Sequence, residues 1–361
     1  MAEQFDIAVI GAGMAGASLA AAMGGAVSTI LIEAEGQPGY HATGRSAAFW
    51  TESYGGAGVQ PLTSASGQYL REGGFLTPRG ALTVARRGQE EQLKTFADNY
   101  TALGVPIRLL DRVGVEAVVP GLLDDWTCGA LEPSCCDIDV ASLHQNFLSK
   151  ARQAGVELRC RARVESVQLI DAGWRLQLAD GQEIRCSVLV NAAGAWADDI
   201  ASLAGVGPLG IAPLRRTVVQ LQVAPDIPAN LPLVLDLAEQ FYFKPESGRL
   251  WLSPHDETPT SACDAVPEEM DIATAIARLE EVVGWKVMRL EHSWAGLRSF
   301  APDRLPVYGF DPRVPGFFWC AGQGGSGIQT APAAGALAAS LLLDLREGAV
   351  DPAPYAPDRF H

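Results

Sequence analysis

Residues 5–33 read FDIAVIGAGMAGASLAAAMGGAVSTILIE. Residues 6–10 are a nearly unbroken apolar run, the composition of a parallel strand buried on both faces. The run stops at Gly11, and Gly11, Gly13 and Gly16 fall in the G-x-G-x-x-G pattern. The first glycine serves a tight strand-to-helix turn, the second lets backbone approach a pyrophosphate, and the third lets helix and strand pack closely. Residues 15–23 predict an alanine-rich helix whose N–H groups and dipole favour phosphate. Residues 29–32 predict a second buried strand. Glu33 then stands about 20 residues beyond the glycines, where a carboxylate bonds a ribose hydroxyl. The plain alternative is a glycine turn that only packs a helix on a sheet, and the terminal acid counts against it. A dinucleotide site follows. The motif by itself serves FAD and NAD alike, and Glu33 repels a 2′-phosphate.

The chain has 361 residues, 48% apolar and 19% charged, enough for two domains or one elaborated one. With 27 Lys and Arg against 42 Asp and Glu, the net charge is −15. That balance disfavours nucleic acid or an anionic membrane surface as partner. An anionic substrate stays compatible, through local arginines. The seven cysteines show no C-x-x-C spacing, so neither a zinc site nor a disulfide framework is expected, which suits a reducing compartment. No cleavable signal is read at the start, and residues 333–345 are too short to span a bilayer. The expectation is a cytoplasmic protein with no metal and no integral membrane segment.

Further along, Arg45-Ser46-Ala47-Ala48 reads as a helix start after a small-residue loop, with an ordinary surface loop as the alternative. Helices are predicted over 60–72, 90–103, 139–154 (capped by Asp137 or Asp139) and 271–283. Residues 75–85 read as a strand pair around Pro78-Arg79-Gly80. Strands are predicted over 156–160, 162–169, 174–178 and 183–186, and again over 188–190, which runs into the small-residue turn AAGAW. Residues 215–223, 241–244, 250–253 and 287–294 predict a second, mostly antiparallel sheet. An apolar strand over 316–321 enters Gly322-Gln323-Gly324-Gly325-Ser326-Gly327 and a long helix to Arg346, and 352–357 reads as a loose tail. Glycine-rich strand-to-helix turns at both ends of the chain imply a cofactor domain closed by both termini, with the second sheet inserted.

The joint order GAGMAG, Glu33, HATGRSAA, VNAAGAWA, WAGLRSFAPDRLPV and CAGQGGSGIQTAPAAG resembles the FAD-dependent D-amino acid oxidase family, which includes glycine oxidase, sarcosine oxidase and D-amino acid dehydrogenases. GYHATGRSAAFWTESYG is most similar to the bacterial D-arginine dehydrogenase branch. The resemblance implies an α/β (α+β overall) fold: a Rossmann-like FAD-binding domain (residues 1–80, 137–208 and 303–361) with an inserted, mostly antiparallel-sheet substrate domain (81–136 and 209–302). It implies noncovalent FAD, with Gly11, Gly13 and Gly16 at the pyrophosphate and Glu33 at the ribose. Gly44, Arg45, Ser46, Ala47 and Ala48 would flank the flavin, and Gly322, Gly324, Gly325 and Gly327 would aim a helix N-terminus at its N1–O2 edge. Met14, Ala15, Ala34, Thr43, Val164, Ala193, Gly194, Trp196, Gly296 and Ile328 join the cofactor set.

For the substrate, the resemblance implies carboxylate recognition by Arg216 (or Arg215) and Arg298, with Tyr54 and Tyr242 lining the pocket and Gln329 at the flavin end. The implied reaction is oxidative deamination of a D-amino acid. Hydride leaves Cα for flavin N5, the imino acid hydrolyses to a 2-oxo acid and ammonia, and oxygen or a quinone accepts the electrons. Phe49 replaces the histidine of the arginine-preferring branch, and the stretch directly after Gly80 reads Ala81-Leu82-Thr83-Val84-Ala85-Arg86-Arg87, with glutamates only at Glu90 and Glu91 beyond it. An apolar, small or acidic substrate side chain is therefore open. Glycine or sarcosine oxidation and a flavin domain acting on modified tRNA are the alternatives within the resemblance, and an NAD-dependent dehydrogenase or a redox-inert flavin binder those beyond it. His41, His144, His255 and His292 are scattered and read as structural.

Overall fold

The computed structural model describes residues 3–345 and 348–360. The opening motif forms the middle of an eight-stranded sheet. Strand Glu3–Ile10 lies parallel between Thr29–Ile32 and Glu183–Asn191. Ala8, Val9, Ile30 and Leu31 are fully buried there, which is why these strands lack polar alternation. Glu157–Arg159 and Phe317–Ala321 extend the parallel core on either side. Helices Met14–Met23, Val140–Gln153 and Ala331–Leu342 pack on one face. Trp174, Phe317 and Trp319 fill the other.

Glu183–Asn191 is one strand of 9 residues, where the sequence suggested two. Its first half pairs antiparallel with Gly173–Leu178, and its second half runs parallel to Phe317–Ala321. Burial therefore switches midway from alternating to continuous, which mimics a break.

A nine-stranded sheet holds Ala81–Arg86, Trp126–Glu132, Ala212–Ala224, Leu233–Asp236, Tyr242–Glu246, Arg249–Ser253 and Lys286–Phe300 among its members. Its pairings are antiparallel apart from Leu233–Asp236 beside Ala81–Arg86, among the described residues. Helices Arg112–Val118 and Glu269–Glu280 cover it around Trp126 and Phe243. Lys286–Phe300 runs for 15 residues, well past the predicted 287–294. Ala295-Gly296 looks like a strand breaker, yet the register against Ala212–Ala224 continues straight through it.

Other expectations need correction. Residues 75–85 form no hairpin: Leu76–Pro78 joins a three-stranded sheet with Phe49–Trp50 and Cys136–Ile138, while Ala81–Arg86 enters the nine-stranded one. Arg79 stands at the divide, its Nε 2.7 Å from Asp137 Oδ2, and Lys244 Nζ holds the other oxygen at 2.7 Å. Asp137 is thus an interior ion-pair bridge, and Asp139 caps the helix, accepting from Ser142 N at 3.0 Å. Arg45 ends the 3-10 turn Ala42–Arg45, and Ser46 is extended at φ −87° and ψ 141°, so no helix starts there. The last helix begins at Ala331 and stops at Leu342; its predicted end at Arg346 lies outside the described residues. The tail is docked rather than loose. Tyr355 is buried, its hydroxyl donates to Gly58 O at 2.8 Å, and Arg359 pairs with Asp303 at 2.7 Å. Among the described residues, no helix is long and apolar enough to cross a membrane.

Candidate functional site

A cavity of ≈ 460 Å³ runs from Gly11, Gly13 and Glu33 past Thr43 and Ala47 to Arg216, Tyr242 and Arg298. It opens beside Ile10 and Ile32, at the carboxyl ends of the parallel strands, where open α/β sheets bind ligands. At this end Glu33 organises the turn. One carboxylate oxygen accepts from Ala12 N at 3.0 Å and the other from Glu35 N at 2.9 Å, while Thr43 Oγ1 accepts from Met14 N at 2.9 Å. His41, which the sequence left aside, lines the cavity against Trp196 at a ring separation of 4.7 Å. Its Nε2 lies 3.0 Å from Glu35 Oε1, and its Nδ1 is buried without a partner.

The other end is built on the antiparallel pair Ala212–Ala224 and Lys286–Phe300. Arg216 lies opposite Gly296 and Arg298 opposite Leu214, so the two arginines are diagonal neighbours on one face. Alternation turns Arg215 to the reverse face, where it pairs with Glu268 and with Asp271 at 3.0 Å. Arg216 is therefore the one at the cavity. Its Nε donates to Asp256 O at 2.6 Å and its Nη2 to Glu257 Oε1 at 3.1 Å, which leaves Nη1 buried and unpartnered. Arg298 donates to the Tyr54 hydroxyl and, at 3.4 Å, to the Tyr242 hydroxyl. A Cβ at 325 would stand 2.6 Å from Arg298 Nη1 and 3.0 Å from the Tyr54 oxygen, so any larger residue there must displace that pair.

Burial opposes the charge on Arg298, but the phenol oxygens of Tyr54 and Tyr242 outweigh it and hold the guanidinium above its ordinary pKa. Burial, then the charge of Arg298, lowers Arg216. Both remain cations at any working pH. The acids on the cavity wall are Glu33, Glu35 and Asp199, none from the strands that carry the arginines. Behind the tyrosines sits His255, with ring centroids 6.4 Å from Tyr54 and 5.8 Å from Tyr242. Burial, followed by the charges of Arg216 and Arg298, pushes its pKa down to about 2, so the imidazole is neutral.

Tyr54 is delivered by a clamp. Glu132, 2% exposed, accepts from Thr51 Oγ1 at 2.6 Å, Glu52 N at 2.9 Å and Ser53 N at 3.3 Å, and also from the Ser53 hydroxyl. Gln329 closes the other side: its Oε1 accepts from Thr51 N at 3.2 Å and its Nε2 donates to Tyr54 O at 3.3 Å. Neither clamp residue lines the cavity. Glu132→Gln would face donors with a carboxamide NH2. The affinity of the arginine end for benzoate is expected to fall about tenfold, or about 1.4 kcal/mol, in that variant. An unchanged affinity in a calorimetric titration would mean that Glu132 does not position Tyr54.

The structure gathers most of the expected residues on one wall. Gly11, Gly13, Met14, Ala15, Glu33, Ala34, Thr43, Arg45, Ser46, Ala47, Val164, Ala193, Gly194, Trp196, Gly296, Gly324, Gly325, Gly327 and Ile328 line the cavity with Arg216, Tyr242 and Arg298. Tyr54 reaches the site through its hydroxyl. Gly16, Gly44, Ala48, Gly322 and Gln329 lie behind the wall. Gly16 faces the Gly11 carbonyl, Gly44 the Gly39 carbonyl and Gly322 the Ala301 backbone, and Ala48 packs with Trp50. Arg45 lines the cavity edge-on, its guanidinium held by Asp264 and by Ala265 O at 2.8 Å. Cys320 is buried against the helices of the first sheet, and no cysteine among the described residues lines the cavity. Nor do the described residues include a cluster of three metal-binding side chains. His255 and Glu132 had no local signal. Each enters the site from strands and loops far from Tyr54 in sequence.

The family model for DAO, FAD dependent oxidoreductase, matches residues 6–341. The chain is 27% identical over 282 residues to hydrogen cyanide synthase subunit HcnC of Pseudomonas aeruginosa, a match covering 75% of this chain and 65% of that protein. A match to FAD-dependent oxidoreductase domain-containing protein 1 of Mus musculus covers 40% of that protein, so the chain spans less than two thirds of these relatives. Glycine oxidase of Geobacillus kaustophilus is 25% identical over 385 residues, covering 99% of this chain and 98% of that one. Its crystal structure matches with a TM-score of 0.85 at 23% identity over 98% of each chain. L-Proline dehydrogenase from P. horikoshii gives 0.87 at 21% identity, over 100% of this chain and 98% of that one. These structural likenesses carry the fold.

Proposed function

The chain belongs to the DAO family of FAD-dependent oxidoreductases, and on that premise we propose that it oxidises the Cα–N bond of an amino acid that is D-configured or achiral. The cavity suits the cofactor. Its glycine turn lies at the end of a parallel strand, Glu33 faces it, and the buried Nδ1 of His41 lacks a protein partner. Gly11, Gly13 and Thr43 would hold the pyrophosphate, Glu33 the ribose, and Ala47, Gly296 and Gly324 the ring system. The eight-stranded sheet, with residues 1–80, 137–208 and 303–361, then forms the FAD-binding domain. Residues 81–136 and 209–302 form the substrate domain. Bound FAD supplies the acceptor for the hydride removed from the substrate carbon.

One observation carries the substrate reading: two guanidinia at the far end, a half-buried Arg298 framed by two phenols and a buried Arg216 with a free Nη1. Such a pair binds a carboxylate with defined orientation. Arg298 and Arg216 anchor that group, and Tyr54 and Tyr242 hold Arg298 in place. The anchored carboxylate sets the direction of the Cα–H bond, a positioning effect. His255, whose pKa burial and the two arginines hold down to about 2, is too weak a base to take a proton from a substrate ammonium, so the substrate amine enters already deprotonated. Water hydrolyses the released imino acid to a 2-oxo acid and ammonia.

Anaerobic titration of the yellow holoprotein with D-amino acids, their L-enantiomers, glycine and sarcosine tests this. Loss of the flavin absorbance with D- or achiral amino acids and not with L-enantiomers is expected. A flavin that no amino acid bleaches would overturn the reading.

A further inference from the structure

Residues 260–268 join strand Thr258–Pro259 to helix Glu269–Glu280, and both ends of this segment are fastened to strand Ala212–Ala224 of the nine-stranded sheet. Thr260 N donates to Pro213 O at 3.1 Å, and Glu268 pairs with Arg215, the arginine that faces away from the cavity. The middle of the segment crosses to the glycine-turn side of the molecule. There Asp264 accepts from the Arg45 guanidinium and, at 3.1 Å, from the Tyr40 hydroxyl, while Ala265 O accepts from Arg45 Nη1 at 2.8 Å. Ala265 is 6% exposed and packs with Ala295 and Leu297, and Cys263 and Ala195 border the same cluster.

These contacts form an outer layer. Tyr40, Arg45, Ala195 and Leu297 line the cavity, whereas Asp264 and Ala265 touch them from behind. Arg45 is gripped from two sides. Strand Lys286–Phe300 holds it through Ala295 O at 3.2 Å and through Trp294, whose Nε1 donates to Arg45 O at 3.0 Å. That grip belongs to a paired strand, while the grip of Asp264 and Ala265 comes from a segment with no ladder of its own. Segments of this kind open first. Arg45 also ends the turn Ala42–Arg45, whose Thr43 accepts from Met14 N at 2.9 Å, so the fastening reaches the residues assigned to the pyrophosphate. The hydrogen bond from Arg45 keeps the Asp264 carboxyl below its ordinary pKa, against burial. Its side chain is 57% exposed, and an ion pair so placed is weak enough to break and re-form.

We propose that residues 260–268 strap the flank of the cofactor cavity, with Asp264 as the fastener: it positions Arg45 and Tyr40 from behind and thereby sets the rates at which FAD enters and leaves. The inference rests on the cofactor placement above and goes beyond it, by assigning cofactor exchange to a residue outside the cavity wall. Asp264 is a positioning residue. A direct contact to FAD would slow release alone, whereas a fastener slows entry and release together.

The test measures flavin fluorescence. Rapid mixing of FAD with apoprotein gives the association rate constant, and dilution of the holoenzyme gives the dissociation rate constant. In Asp264→Ala both are expected to rise about fivefold, the upper end for an ion pair at the surface, so that the Kd changes less than either. The melting temperature of the apoprotein should stay within about 4 °C of wild type, which separates unfastening from damage to the fold. Asp264→Asn keeps an acceptor without the charge and should raise both rate constants by less; it also serves should Asp264→Ala fail to fold. The proposal is overturned if either rate constant stays at the wild-type value in a folded variant. A rise in dissociation alone would make Asp264 a support of the bound state, and a fall in association would make it a guide for FAD. A wild-type apoprotein that binds no FAD instead removes the cofactor placement itself, and this proposal with it.

Discussion

Replacing Arg298 with methionine is expected to lower kcat/KM for the amino acid substrate about 1,000-fold while FAD stays bound. The side chain is half-buried at the cavity wall, its outer nitrogens directed at the Tyr54 and Tyr242 hydroxyls. Truncating one partner of a buried, hydrogen-bonded charge pair costs about 2–5 kcal/mol, and about 4 kcal/mol corresponds to three orders of magnitude. Methionine keeps much of the volume, so the loss isolates the charge and its fork geometry. Arg298→Lys should recover part of the activity. A lysine ammonium is a point charge that cannot engage two phenols and a carboxylate as a planar fork does. Rapid-mixing measurements of anaerobic flavin reduction, with absorbance to verify occupancy, give the answer. A methionine variant within tenfold of the wild type would leave Arg216 as the carboxylate anchor and remove Arg298 from that role.

Gly13 and Gly16 are expected to fail in different ways although they belong to one motif. A Cβ at Gly16 would stand 1.9 Å from the Gly11 carbonyl oxygen, whereas at Gly13 its nearest neighbour is Thr43 Oγ1 at 3.3 Å. Gly16→Ala therefore drives helix Met14–Met23 off the strand, and little folded protein is expected. Gly13→Val asks the Thr43 hydroxyl to give by a few tenths of an ångström at its Cβ and projects into the cavity, where backbone must approach the pyrophosphate. The apoprotein should fold with a melting temperature within about 4 °C of wild type, as for about 1 kcal/mol or less in a chain of this size. Its FAD affinity should drop about 100-fold or more, a loss of about 2.7 kcal/mol. Thermal unfolding of apoprotein and a fluorescence titration with FAD separate the two effects. If Gly13→Val binds FAD like the wild type, the pyrophosphate does not pass that position.

The parts of this molecule that were legible in the sequence are those whose physics is local. The first glycine motif states its own requirements within thirty residues, and the buried strands on either side lack polar alternation because both faces are covered. Arg215 and Arg216 show the limit. Both are plausible anchors as letters, and only the register against Lys286–Phe300 turns one inward and the other to Glu268 and Asp271. Glu132 stands 79 residues from Ser53 in the chain, and His255 reaches Tyr54 across a still longer separation, so neither carries a signal near the residue it serves. The strand pair expected around Pro78 misled for a related reason. A turn residue between two apolar runs predicts a reversal, but the two runs diverge into different sheets at the Arg79–Asp137 pair. Gln329 was expected at the flavin edge from the motif it follows, and its amide instead grips the backbone of Tyr54.

The eight-stranded sheet takes strands from residues 3–32, 157–191 and 307–321, and the nine-stranded sheet takes its own from 81–132 and 212–300. The thread passes from the first to the second and back twice. No contiguous stretch of the polypeptide therefore contains either sheet whole without strands of the other. Neither half can be excised for separate expression, or shuffled as a cassette into another scaffold, by a single pair of cuts. A gene fragment encoding one sheet necessarily carries pieces of the other, so moving the nine-stranded sheet with its arginine pair between relatives calls for exchanging two separate inserts at once.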